Sequence, residues 1–165
     1  MSEARRDDPD LHLRDVDLGN YYPIMMLELA DDQRDFVWTN SGPLAEAAYV
    51  PGFRPRALYL GDEPVGLGLW GPYYPGYAYE SAPEPGAYII DHLMIDKHHQ
   101  GRGFGRRLVE LMVSEMNEIA DCQRILLAVE PRNEKAIALY RKLDFDDIGR
   151  THEDDILMEL KAPAS

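Results

Sequence analysis

The sequence predicts a single α/β (α+β) domain, and three observations carry that reading. Short apolar runs bounded by turn residues recur along the chain as strands. Between them lie segments whose apolar residues keep helical spacing. No internal repeat or linker-like change of composition divides the chain. Its 165 residues, 45% hydrophobic and 28% charged, suit one globular core. Residues 1–10 read as a polar tail and residues 11–161 as the domain.

Leu11-His12-Leu13-Arg14-Asp15-Val16 alternates apolar and polar residues and predicts a short strand. Asp17 is placed to cap a helix running through Tyr21 and Ile24 to Leu29, with Pro23 tolerated in its first turn. Gln33 to Thr39 suggests a second short helix with Phe36 and Val37 inward. Leu44 to Tyr49 suggests a third, with Pro43 near its start and Ser41 as its cap. Arg56–Leu60 and Val65–Trp70 read as a hairpin around Gly61-Asp62-Glu63-Pro64. Residues 71–85 are rich in Pro, Gly and Tyr and read as an ordered surface loop, whose tyrosines either line a substrate mouth or pack over the sheet.

Tyr88–Ile95 is the strongest strand, apolar on both faces as a central strand should be. A glycine-rich basic loop comes next. Leu108, Leu111, Met112, Met116 and Ile119 then form a helical stripe. Gln123–Val129 predicts another buried strand. Asn133 caps a last helix, with Glu134 in its first turn and Ala136, Ile137, Leu139, Tyr140 and Leu143 inward. Phe145–Gly149 and Ile156–Leu160 close the chain as strands around the acidic turn Thr151–Asp155.

The net charge of −13 speaks against a nucleic-acid partner, because phosphate contacts need excess Lys and Arg. It suits a cationic substrate, and equally plain solubility. No apolar run reaches the roughly 20 residues of a membrane span, so no membrane is expected as a partner. The polar N-terminus is no secretory signal. The single cysteine, Cys122, cannot form an internal disulfide, and a cytoplasmic location is expected. No metal site is expected.

The most informative stretch is His98-His99-Gln100-Gly101-Arg102-Gly103-Phe104-Gly105-Arg106-Arg107. A strand, a glycine-rich basic loop and a helix start, in that order, make an anion site. Glycines allow close backbone approach and positive φ, and the helix start offers unpaired N–H donors. Arg102, Arg106 and Arg107 add positive charge to an otherwise acidic chain. A dinucleotide fingerprint would need Gly where Arg106 stands, and a P-loop would need Gly-Lys-Ser/Thr.

Gln100-Gly101-Arg102-Gly103-Phe104-Gly105 resembles the Q/R-x-x-G-x-G/A acyl-CoA loop of the GNAT N-acetyltransferases. Asn133 to Phe145 resembles the N-x-x-A-x-x-x-Y-x-x-x-G-F segment of the same family, with Asp144 in place of its glycine. Asp32-Gln33-Arg34-Asp35-Phe36-Val37, Leu44-Ala45-Glu46-Ala47, Arg54-Pro55 and Met94-Ile95-Asp96-Lys97 are similar to the bacterial spermine/spermidine (diamine) acetyltransferase-like branch. The resemblance implies the GNAT fold, a central mixed, mostly antiparallel, splayed sheet flanked by helices. It implies acetyl-CoA as donor and a primary amine as acceptor, with a polyamine or another small cationic amine as the candidate. A homodimer is a candidate assembly. The alternatives are a non-catalytic acyl-CoA-binding sensor, or transfer to a protein amine or an antibiotic.

By the same resemblance, the cofactor contacts are the backbone of Leu93, Met94 and Ile95, the cradle Gln100, Gly101, Arg102, Gly103, Phe104, Gly105 and Arg106, and Asn133, Ala136 and Tyr140. Tyr140 corresponds to the acid that protonates the departing thiolate; from helical spacing alone it is a core residue. The substrate amine is protonated at neutral pH and needs a base. Asp91, His92 and Glu130 are the candidates, beside a chain of waters. Neighbours on a strand point to opposite faces, so only one of Asp91 and His92 is expected to face the site. His92 has a suitable intrinsic pKa, whereas Asp91 needs burial. Glu28, Asp31 and Asp32 are candidates for attracting the substrate cation.

Overall fold

The computed structural model describes residues 10–34 and 39–161. Seven strands form one open sheet: β1 (Leu11–Asp15), β2 (Arg54–Leu60), β3 (Glu63–Pro72), β4 (Ala87–Ile95), β5 (Arg124–Val129), β6 (Phe145–His152) and β7 (Asp155–Leu160). Their order is β1-β2-β3-β4-β5-β7-β6. Every neighbouring pair is antiparallel except β4 and β5, whose connection through a helix makes them parallel. The expected mixed, mostly antiparallel sheet is therefore present.

Four helices flank it: α1 (Tyr21–Met25), α2 (Ser41–Tyr49), α3 (Phe104–Asn117) and α4 (Glu134–Lys142). α3 and α4 cover one face, where Leu108, Val109, Met112, Met116 and Tyr140 pack on Leu58, Val65, Ile90, Ile95, Ile125 and Leu127. On the other face Ile24 and Leu29 pack on Ala57, Tyr59, Leu67 and Met94, with Leu44 against them. The α3 stripe lies close to the sheet because Gly68 gives it room: a Cβ there would sit 2.4 Å from the Met112 sulfur. Arg56 of β2 clamps the Glu115 carboxylate of α3 with two hydrogen bonds of 3.0 and 2.6 Å, and the Trp70 indole donates to the same carboxylate at 3.1 Å. Two elements of the first half are thus tied to the helix that begins at the glycine loop.

Several expectations need correction. α1 ends at Met25 rather than Leu29, because the next residues are drawn against the end of β4. The Glu28 N–H donates to the Asp96 carboxylate, and the Lys97 N–H donates to the Glu28 carbonyl. The N-cap of α1 is Asn20, not Asp17, whose carboxylate accepts from the Gly19 N–H instead. α2 begins at Ser41, so the cap position belongs to Asn40. A 3₁₀ turn at Asp31–Gln33 stands where the second helix is expected to begin, and Phe36 and Val37 lie outside the described residues. The two last strands extend further than expected, to His152 and back to Asp155, because Glu153 and Asp154 both take positive φ (49° and 70°) and make the connection a tight turn.

Two irregularities in β4 give the sheet its opening. The pairing of β4 with β3 shifts register, so that Leu69 faces His92 while Trp70 faces Ile90, leaving Asp91 as the extra residue of a bulge. Its pairing with β5 ends at Ile90 and Leu127, although β5 continues to pair with β7 through Val129. Beyond Ile90 the two parallel strands splay, as the family resemblance implies.

Candidate active site

The glycine loop has the backbone geometry that its composition suggests. Gly101 and Gly103 have φ of 74° and 78°, a region that other residues enter at a cost. A Cβ built at either would meet nothing within 4 Å, so both glycines border open space. Gly103 is the N-cap of α3 and brings no side-chain acceptor, which leaves the first N–H groups of the helix available to an anion. The side chains of the loop are otherwise engaged. The Gln100 amide donates to the Ile95 carbonyl at 3.0 Å and to the Gln33 side chain at 2.7 Å, holding the loop to the strand before it. Arg102 lies over the Phe104 ring, and Arg106 and Arg107 share the Glu110 carboxylate. Gly105 packs near Ile95.

At the splay a cavity of about 370 Å³ passes between β4 and β5. From the face of α4 it is lined by Asn133 and Tyr140; from the face of α2 by Pro43 and Glu46. Asp91, His92 and Leu93 of β4 and Glu130 after β5 line its middle, and His152, Glu153 and Asp155 of the β6–β7 turn close one side. On the edge facing β5, the β4 backbone from Asp91 to Ile95, including Leu93 and Met94, has no strand partner among the described residues. A phosphate cradle at α3, an unpaired strand edge and a cavity beside Tyr140 together fit an elongated acyl-CoA.

The bulge decides the faces of β4. Asp91 and His92 both meet the α2 side, although strand alternation predicts that only one faces the site. Glu46 of α2 and Asp91 line the same cavity, where the charge of Asp91 disfavours ionisation of Glu46. Burial first, then the bond to Asp91 and the charges of Asp91 and Glu153, push Glu46 up to about 8, so the proton rests on Glu46 near neutrality. His92 is only 7% exposed, and burial pulls it down to about 4. It is therefore neutral, a different state from the one its intrinsic pKa suggests. Its Nε2 lies 3.1 Å from the Asn40 side-chain oxygen, while the Asn40 amide nitrogen donates to the Ile24 carbonyl at 2.8 Å. That orientation of Asn40 puts the His92 proton on Nε2 and leaves Nδ1 as the imidazole acceptor.

Tyr140 is 9% exposed, edge-on to Phe145, and its hydroxyl has no hydrogen-bond partner among the described residues. Burial raises its phenol to about 12, which keeps it protonated. Asn133 accepts from the Ala136 N–H and caps α4. Glu130 pairs with Arg132 at 2.8 Å. Glu28, Asp31 and Asp32 do not line the cavity: Glu28 pairs with Lys97, and Asp31 with Arg34. The titratable cavity residues absent from the sequence-derived candidates are Glu46, His152, Glu153 and Asp155. The acidic composition of the last turn is visible in the sequence, but its place beside β5 depends on β7 inserting between β5 and β6. Among the described residues no group of His, Cys, Asp or Glu is arranged to hold a metal, and no helix is long and apolar enough to cross a membrane.

The model of the acetyltransferase (GNAT) family matches residues 23–145 of this chain. A probable spermine N(1)-acetyltransferase of Bacillus subtilis subsp. natto (strain BEST195) is 27% identical over 135 residues, which cover 82% of this chain and 87% of that protein. The spermine/spermidine N(1)-acetyltransferase of Bacillus subtilis (strain 168) is 25% identical over the same length and shares. Among solved structures, AAC(6')-Ib in complex with ribostamycin and coenzyme A superposes with a TM-score of 0.74 at 20% identity, covering 93% of each chain.

Proposed function

The chain belongs to the GNAT family of acetyltransferases, and on that premise we propose that it transfers the acetyl group of acetyl-CoA to a primary amine of a small aliphatic polyamine. The observation that carries the acceptor class is the cavity wall. Glu46, Asp91, Glu130, Glu153 and Asp155 line it, and among the described residues no Lys or Arg does. Among the described residues Asp91, Glu153 and Asp155 have no ion-pair partner. Uncompensated carboxylates facing a cavity attract a cation. Similarity to the spermine/spermidine acetyltransferase of Bacillus subtilis (strain 168) points the same way.

Bound acetyl-CoA supplies the thioester, whose acetyl group passes to the amine as the thiol leaves. The N–H groups that open α3 would hold the pyrophosphate, and the unpaired edge of β4 the pantetheine arm. The acceptor enters from the α2 side as an ammonium and gives a proton to the Asp91–Glu46 pair, with Asp91 as the receiving carboxylate. This proton must go before the nitrogen lone pair can bond to carbon. A backbone N–H of the splayed β4 segment would be available to donate to the thioester oxygen. Tyr140, protonated and facing the cavity, would give its hydroxyl proton to the departing sulfur and recover one from the acetylated nitrogen, which sheds its second proton as the amide forms. The Asn40–His92 bond locks the strand at the bulge.

The test is thiol release from acetyl-CoA in the presence of a panel of amines. Turnover with short aliphatic di- and polyamines is expected. An enzyme that turns over none of them, while acetyl-CoA still raises its Tm, would leave a binding module and sink the proposal.

A further inference from the structure

The glycine loop leaves β4 through a short 3₁₀ turn, Lys97–His99, and Asp96 caps that turn. The Asp96 carboxylate is buried. It accepts from the His98 N–H at 3.1 Å and from the Glu28 N–H at 2.9 Å, and the Asp96 carbonyl accepts from the His99 N–H at 2.9 Å. The entry to the loop is thereby fixed. The His99 side chain then reaches across the neck of the loop to its exit. Its ring stacks on that of Phe104, the first residue of α3, with 6.4 Å between ring centres and 19° between planes. Both of its nitrogens face carboxylates. Nδ1 lies 3.5 Å from Oδ1 of Asp96, and Nε2 lies 3.7 Å from Oε1 of Glu63 at the start of β3. The His99 side chain is 15% exposed, that of Asp96 10% and that of Glu63 63%.

A neutral imidazole has one N–H and one lone pair, so between two carboxylates it must turn the lone pair towards one of them. An imidazolium donates at both nitrogens. The buried Nδ1 makes no hydrogen bond among the described residues, and both separations exceed a hydrogen-bond length. The two contacts are thus poised to tighten when the ring gains its second proton. Other charges surround this neck. Lys97 is paired with Glu28, His98 is exposed, and Arg102 lies over the Phe104 ring at 4.6 Å. Arg102 and the positive end of α3 oppose another positive charge, whereas Asp96 and Glu63 favour it. A pyrophosphate on the opening N–H groups of α3 adds negative charge to the same neck and moves the balance towards the imidazolium.

We propose that His99 is a positioning residue for the cofactor: as an imidazolium it joins Asp96 and Glu63 across the neck of the glycine loop and braces the cradle that takes the acetyl-CoA pyrophosphate. This rests on the acetyl-CoA reading of the loop and adds a pH dependence that the reading alone does not contain. By linkage, acetyl-CoA binding draws a proton onto His99. The affinity gained is present at acid pH and is lost as pH rises and the ring gives up that proton.

The experiment measures the acetyl-CoA Kd by calorimetry for the parent, His99→Gln and Glu63→Gln at about pH 6 and about pH 8, on either side of the change in histidine charge. Titration of the cofactor itself is common to all three proteins and cancels in their ratios. His99→Gln is expected to bind roughly three- to tenfold more weakly than the parent at the acid pH and about equally at the alkaline pH, as fits two partly exposed charge pairs. Glu63→Gln alters an exposed side chain, so its fold is safe, and it removes one partner of the brace. It is expected to reduce the parent's loss of affinity between the two pH values by roughly two- to threefold. A His99→Gln deficit that is the same at both pH values, or absent at both, overturns the brace. A Glu63→Gln pH dependence equal to the parent's overturns it too, and decides the matter alone if His99→Gln does not fold. Either result leaves the transferase reading standing, because acetyl-CoA still binds. A parent that binds no acetyl-CoA at either pH overturns both.

Discussion

Replacing Glu46 with glutamine isolates the cost of placing one carboxyl against another. The Glu46 carboxyl is lifted from 4.5 to about 8, by burial first and then by Asp91 and Glu153. In the unfolded chain the group titrates at its ordinary value. Between those two pH values the folded protein keeps a proton that the unfolded chain has released. Stability is therefore fully present below the unfolded value and is lost as pH rises towards about 8. At ~1.4 kcal/mol per pH unit the ceiling is ~5 kcal/mol. Glu46 is only half-buried, and water screening reduces the effect to about 1–2 kcal/mol. Glutamine keeps the shape and donates an amide hydrogen to Asp91, but it does not titrate. Thermal unfolding of parent and variant, one pair near the unfolded pKa and one near the folded pKa, measures the difference. The variant is expected to match the parent closely at the acid end and to exceed it at the alkaline end, by about 2–4 °C for each kcal/mol in a chain of this size. Parallel pH profiles would refute the proton held on Glu46 and, with it, the view that Asp91 receives the substrate proton beside a neutral carboxyl.

Three other outcomes are expected. Tyr140→Phe should lower kcat by roughly 10²-fold or more with acetyl-CoA affinity nearly unchanged by calorimetry; because the hydroxyl faces the cavity and makes no hydrogen bond to a described residue, the variant should melt no lower than the parent. Gly103→Ala places a side chain at a φ of 78° beside the helix N–H groups, so acetyl-CoA binding should weaken roughly tenfold, at a stability cost of about 1 kcal/mol; equal affinity would remove the backbone cradle. Asp144→Gly relieves a residue held at a φ of 68° just after α4, and denaturant unfolding should show a gain of about 0.5–1 kcal/mol or less, since the unfolded chain also gains freedom; a loss would mean that the aspartate contributes a contact of its own.

Much of the sheet is readable in the sequence because its strands carry local signals. β2, β3, β4 and β5 are apolar runs bounded by turn residues, and α3 and α4 show helical stripes with a glycine and an asparagine at their starts. The region before β2 is less legible. α1 is short because Glu28 and Lys97, distant in sequence, bond through their backbones. The cap of α2 is an asparagine whose side chain is used by Ile24 and His92 instead of by its own helix. Neither feature leaves a periodic trace.

The candidate site divides along the same line. By itself the sequence determined the cofactor side, since a glycine loop before a helix and the Asn133–Tyr140 spacing are short-range patterns whose geometry comes from backbone rules. Tertiary structure alone decided the acceptor side. A bulge of one residue turned Asp91 and His92 towards the same helix, burial set one of them neutral, and strand insertion carried an acidic turn to the cavity. Glu46 meets Asp91 only because α2 and the splayed end of β4 are brought together across the sheet. Charge states depend on burial and on such meetings, and neither is written in the spacing of residues along the chain.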